Sequence, residues 1–163
     1  MYNQIMEIQV AVAKVNKYGS EESGDSLEVV ERPGGGVSVV LADGLSSGKE
    51  AKAISTMVVR KVISLLAEGV RDGAAARAAS DALYTERAGH IAAFLSILSA
   101  DLQTSTLVIT RNNPTPVFVA QRDRIECLVT ECEARDWRAF LRPVTKADSS
   151  WERPAMLSYP SRR

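Results

Sequence analysis

Histidine and cysteine are nearly absent from this 163-residue chain: His90 stands alone, and Cys127 and Cys132 are the only thiols. Two cysteines are too few for a disulfide framework. Without a matching Cys or His pair elsewhere they do not make a zinc site, so they read as free thiols. Charge of one sign is lacking too. Twenty basic residues balance twenty acidic ones, so nothing global argues for a nucleic-acid partner or an anionic membrane surface. No run approaches the ~18 apolar residues of a membrane span. The N-terminus lacks a basic segment followed by an apolar stretch, so a cytoplasmic location is expected.

What is present is ordinary for a globular protein: 45% hydrophobic and 25% charged residues, in a length that suits one domain with a proper core. The charge is unevenly spread. Residues 135–163 hold 7 basic and 3 acidic side chains, both tryptophans (Trp137 and Trp151) and three of the six prolines. That divides the chain into a domain over 1–134 and a compositionally distinct basic tail over 135–163.

Periodicity supplies a coarse map. Ile5–Val15 alternates as a half-buried strand, and Ser26–Arg32 and Val37–Ala42 read as two more, joined by a Pro33–Gly36 hairpin turn. Ala51, Ile54, Val58, Val62, Leu65 and Leu66 fall at helical spacing over 47–68, with Ser46 or Ser47 as cap and Glu50 near the first turn. Asp72–Arg87 is a second, alanine-rich helix, with Asp72 read as its cap. Ile91–Ala100 with Thr104–Thr110, and Val117–Ala120 with Arg124–Val129, make two further hairpins. This order predicts a mixed α/β fold of the α+β kind, its sheets largely antiparallel and its helix pair on one face.

The hairpin through residues 33–36 carries the chemistry. It brings Asp25, at the start of one strand, opposite Asp43, at the end of the next. Two carboxylates at one sheet rim repel unless a cation lies between them. Hard oxygen donors suit Mg²⁺ or Mn²⁺. Gly44 allows a sharp departure of the backbone and offers its carbonyl as another ligand. Against this stands the plainer role of a strand-end acid, which is to cap the following turn.

Gly24-Asp25-Ser26, Ala42-Asp43-Gly44, Gly48 followed by Glu50-Ala51, and the helix pair together resemble the metal-dependent serine/threonine phosphatases of the PPM class. Within that class they are most similar to the bacterial stage-II-sporulation-E-like, RsbX-like branch that acts on the stressosome. The resemblance covers Tyr18 to Val129, about two thirds of the chain. It implies an antiparallel β-sandwich flanked by helices, in α-β-β-α order, here truncated at the C-terminus. It also implies a binuclear Mn²⁺ or Mg²⁺ site that activates water against phosphoserine or phosphothreonine. Asp43 matches the bridging carboxylate, Gly44 the carbonyl ligand, and Asp25 the acid that binds metal directly or through water. The partners implied are phosphorylated regulators of the STAS type or a stressosome scaffold.

Two departures weigh on that expectation. Leu45-Ser46-Ser47 stands where many relatives carry a histidine, and His90 reads as a structural or surface residue. The closing Ser/Thr-Asp-Gly that completes the second metal site is also missing after residue 129. Asp136 and Asp148 could substitute, although neither has a flanking glycine or an apolar strand leading into it. Ser46-Ser47-Gly48-Lys49 lacks the upstream glycine of a phosphate-binding loop. Arg71, Arg77 and Arg87 read as a solvated helix face, and Arg111-Asn112-Asn113 as a turn. Two functions follow: a phosphatase, its activity impaired if the third acid is lost, or a phosphatase-fold module that binds the same partners without hydrolysis.

Overall fold

The computed structural model describes residues 7–16, 18–19, 22–113, 115–121, 124–128 and 142–147. Strands β1 (Asp25–Glu31) and β2 (Gly36–Gly44) precede helices α1 (Gly48–Ala67) and α2 (Asp72–Glu86). Strands β3 (Ala93–Asp101), β4 (Thr106–Arg111), β5 (Val117–Gln121), β6 (Arg124–Leu128) and β7 (Arg142–Ala147) follow. The first four strands and β7 form an antiparallel sheet in the order β1-β2-β3-β4-β7, and β5 pairs with β6 in a separate ribbon. This is the α+β class that the pattern of elements predicts.

The helices lie on one sheet face. Alternation along β2 turns Ser38, Val40 and Ala42 toward them, and Leu95 and Ile97 of β3 share that side through the register. From α1, Ile54, Val58, Val59, Val62 and Leu66 fill the space above. Ala75, Ala76, Ala79 and Leu83 of α2 close the core from beyond α1. The alanines let the helix axes approach closely, which explains a second helix so poor in large apolar residues.

Three expectations are corrected. The strand over Ile5–Val15 does not form among its described residues, 7–15. Val10, Val12 and Val15 are 43, 54 and 86% exposed. An alternating pattern needs both a ladder partner and a face to bury, and this stretch has neither. Neither Ser46 nor Ser47 caps α1 through its side chain. Ser47 occupies the cap position without such a bond, and the Ser46 hydroxyl meets Glu50 Oε2 at 2.7 Å. Asp72 is the first residue of α2 rather than its cap, and its Oδ1 accepts from Arg32 Nη1 at 2.9 Å. That ion pair, with Arg32 Nη2 donating to the Val70 carbonyl at 3.0 Å, ties the end of β1 to the start of α2.

The chain re-enters the main sheet as β7, inside the basic tail. The sequence carries no strand signal there, and it is β4 that supplies the partner, across a register irregularity between Leu107 and Ile109.

Candidate metal centre

The rim is built by pairing. The β1–β2 register sets Asp25 opposite Asp43, as the hairpin reading predicts, and β3 continues the row with Phe94 opposite Asp43 and Ala93 opposite Gly44. Directly opposed residues lie on the same face with Cβ atoms about 5 Å apart, and like charges so placed destabilise the pair. By alternation the two acids sit on the sheet face away from the helices. Both are half-buried.

The glycines of the two motifs serve a purpose other than turning. A side chain on Gly44 would strike the backbone of Ala51, with the Ala51 Cα only 2.9 Å from the added carbon. One on Gly24 would fall 2.7 Å from the Ala51 methyl. The first full turn of α1 therefore rests directly on Gly24 and Gly44. Gly44 does not take a positive φ, so close approach, rather than a sharp turn, is what requires glycine here. The Gly44 carbonyl accepts the Ser46 amide at 2.8 Å, which leaves its second lone pair for a ligand.

Two lysines converge on the same rim, and the sequence gives little hint of either. Lys14 Nζ and Lys52 Nζ both donate to the main-chain carbonyl of Asp25, at 2.6 and 2.8 Å, and Lys52 also donates to Ser26 Oγ at 2.9 Å. Desolvation, together with the neighbouring Lys52, holds Lys14 below the usual lysine range against the opposing pull of Asp25 and Glu22. Beneath them Ser26 Oγ meets Ser55 Oγ at 2.8 Å and Thr56 Oγ1 at 3.1 Å, a hydroxyl network joining the Gly-Asp-Ser motif to α1.

The Arg111-Asn112-Asn113 stretch does more than turn. Asn112 Oδ1 accepts the Leu95 amide at 2.6 Å, and its Nδ2 donates to the Ala93 carbonyl at 3.0 Å. Asn113 Nδ2 donates to Ser96 Oγ at 2.8 Å. These side chains extend the β4 ladder past its end and hold β3 where it flanks Gly44. Arg111 is buried at the end of β4, whereas His90 is exposed. Arg71 and Arg77 are exposed, as a solvated face predicts, but Arg87 is half-buried. Cys127 is exposed and free.

Among the described residues no three His, Cys, Asp or Glu side chains cluster in a way that could hold a metal. Asp136, Asp148 and Cys132 lie outside the described residues. The donor set at the rim is two carboxylates and one carbonyl. It fits a single divalent ion that keeps several waters, as Mg²⁺ commonly does.

No protein-family model matches the sequence, nor does any curated protein. Solved structures do match. The PP2C phosphatase domain of SpoIIE from Bacillus subtilis, solved with a fragment of its regulatory domain, superposes with a TM-score of 0.59 over 85% of this chain at 18% identity. The fold is that of the PP2C-type phosphatases. RsbX in complex with magnesium gives a TM-score of 0.58 over 71% of the chain at 19% identity, and the serine/threonine phosphatase Stp1 from Staphylococcus aureus gives 0.53 over 67% at 16%. The chain spans 38% of the SpoIIE structure, 54% of RsbX and 48% of Stp1. Among the described residues no helix is long and apolar enough to cross a membrane.

Proposed function

We propose that the protein is a metal-dependent phosphoserine/phosphothreonine phosphatase acting on small bacterial regulatory proteins, of the STAS type or a stressosome scaffold. The observation that carries this reading is the opposition of Asp25 and Asp43 across the β1–β2 ladder, beside the Gly44 carbonyl. It is supported by the PP2C-type fold and by the magnesium complex of RsbX.

In this reading Asp25, Asp43 and the Gly44 carbonyl hold Mn²⁺ or Mg²⁺. A divalent ion bound there would lower the pKa of a coordinated water and offset phosphate charge. The chain's own part is placement. Asp43 and Asp25 fix two oxygen donors on one rim, Ala51 packed on Gly44 keeps the carbonyl from drifting, and Asn112 pins the neighbouring strand. No side chain need be covalently modified. The exposed loop residues Leu45 and Ser46, next to Gly44, are suited to meet a phosphoprotein.

A second reading is a phosphatase-fold module that binds the same partners without hydrolysis. What favours it is that no third acid joins Asp25 and Asp43 among the described residues. One assay separates the two: hydrolysis of a small chromogenic phosphoester across a Mn²⁺ titration. The phosphatase reading expects metal-dependent turnover that Asp43→Asn abolishes. Absence of turnover at any metal concentration, with partner binding retained, would favour the binding module.

A further inference from the structure

His90 is the one histidine of the chain, and the fold carries it to the open end of the acid rim. A tight turn follows α2. The His90 amide donates to the Arg87 carbonyl at 3.1 Å, and the two residues between them, Ala88 and Gly89, take φ of 50° and 75°. Such a turn fixes the point at which the chain leaves the helix. From there it runs straight toward β3. The Leu45 amide donates to the Ala92 carbonyl at 3.1 Å, so the β2–β3 ladder continues one step past Gly44 and Ala93. His90 stands two residues further out, and the same register, extended, sets it level with Ser47 in the exposed stretch Leu45-Ser46-Ser47. It is at most about 14 Å along the chain from Phe94, the direct partner of Asp43. Alternation gives the face. Ile91, Ala93, Leu95 and Ile97 pack on the helix core, which leaves Phe94, Ala92 and, next in line, His90 on the side that carries Asp43. Among the described residues the exposed His90 ring takes part in no hydrogen bond or ion pair.

We infer that His90 is the general acid of the reaction, protonating the serine oxygen as it leaves phosphorus. This rests on the phosphatase reading and adds a residue to it. An alkoxide is a poor leaving group, so breaking its bond to phosphorus calls for a proton delivered as the bond lengthens. The acid pair cannot supply that proton, because carboxylates that hold a cation are ionised. Lys14 and Lys52 direct theirs at the Asp25 carbonyl, and the hydroxyls of Ser46 and Ser47 are too weakly acidic. Histidine is the side chain whose ordinary titration spans neutral pH, which suits it to hand over a proton there. In the step, water adds to phosphorus and the P–O bond to serine breaks, its electron pair staying on Oγ. The imidazolium N–H proton passes to that oxygen, giving serine and inorganic phosphate. The neutral ring regains from solvent one proton, equal to the one the attacking water gives up. The position agrees with this role: the phosphate is drawn to the rim, so the serine side of the ester points outward, toward the end of β3 at which His90 stands.

Two measurements on the full chain test this. The first reads position and needs no turnover. With a single histidine in the chain, proton NMR offers one imidazole C2–H line to follow. Paramagnetic Mn²⁺ should broaden that line by binding at the nearby rim, diamagnetic Mg²⁺ should not, and the broadening should be lost in Asp43→Asn. A line that stays sharp while calorimetry shows Mn²⁺ bound, or broadening that persists in Asp43→Asn, overturns the inference. The second compares kcat for a phosphoserine peptide with kcat for nitrophenyl phosphate, whose phenolate leaves with little help. His90→Gln should lower the ratio of peptide to nitrophenyl turnover by about a hundredfold. Because the ratio is internal to each variant, a general loss of folding cannot imitate that result. A ratio that His90→Gln leaves unchanged overturns the role of His90, while hydrolysis of both esters by the wild-type chain would leave the phosphatase reading standing. If the wild-type chain hydrolyses neither ester, the phosphatase reading fails and the role of His90 fails with it.

Discussion

Lys14 and Lys52 share one acceptor, the main-chain carbonyl of Asp25, at 2.6 and 2.8 Å. That oxygen lies on β1, an outer strand of the sheet, so two ammonium groups take the place of a ladder partner. Lys52 is half-buried and reaches Ser26 as well, whereas Lys14 is exposed. Lys52→Met should lower unfolding free energy by about 1–2 kcal/mol, and Lys14→Met by less, because only the first strands partly buried groups. Urea denaturation of both variants checks this, and equal losses would show that Lys14 is as firmly anchored as Lys52.

Removing one carboxylate from the rim should remove the cation. Calorimetric titration of Mn²⁺ should give a clear binding isotherm for the wild-type protein and little or none for Asp43→Asn. Unchanged binding by the variant would put the metal elsewhere on the chain.

With two carboxylates in the donor set, a second ion should be held weakly, and turnover should demand high Mn²⁺. Full activity at trace metal would mean that Asp136 or Asp148 completes the site, and Asp136→Asn and Asp148→Asn would then reveal which.

Gly44→Ala forces a methyl group into the backbone of Ala51. Relief requires α1 to lift from the sheet, at a cost of about 1–3 kcal/mol as for other overpacked sites. Thermal unfolding should show a drop of several degrees, together with weakened Mn²⁺ binding. A variant of wild-type stability would mean that the first turn of α1 yields freely.

Asp101 gives the fold a pH dependence. Its Oδ1 accepts the amides of Thr104 at 3.1 Å and Gln103 at 2.8 Å in the β3–β4 turn. These bonds, that of Thr104 foremost, hold the carboxyl below its ordinary value of 3.8. A carboxyl depressed in the folded state adds stability above its unfolded pKa and loses it as pH falls through the folded one. The contribution should therefore be complete above about pH 3.8 and be lost progressively as pH falls from there through the lower folded value. Asp101→Asn, which imitates the protonated form, should be less stable than wild type near neutral pH, with the gap closing in acid. A gap that stays constant with pH would remove the charge from the explanation.

Much of the site was legible in the residues themselves because it is local. The Pro33–Gly36 turn and the alternation on either side determine a hairpin, and a hairpin's register determines that Asp25 meets Asp43. The helices followed from a 3.6-residue period and came out within a residue or two of their expected ends. Other features depend on partners distant in sequence, and the tertiary structure alone decided them. The alternation before residue 16 had the pattern of a strand without a face to cover. Residues 142–147 had no such pattern, yet β4 had an edge to offer them. Two lysines, 38 positions apart, meet on one carbonyl only because α1 settles onto Gly24 and Gly44 through Ala51. Periodicity records which side of an element is apolar; it carries no record of what packs against that side, and the charges at the rim were set by that packing.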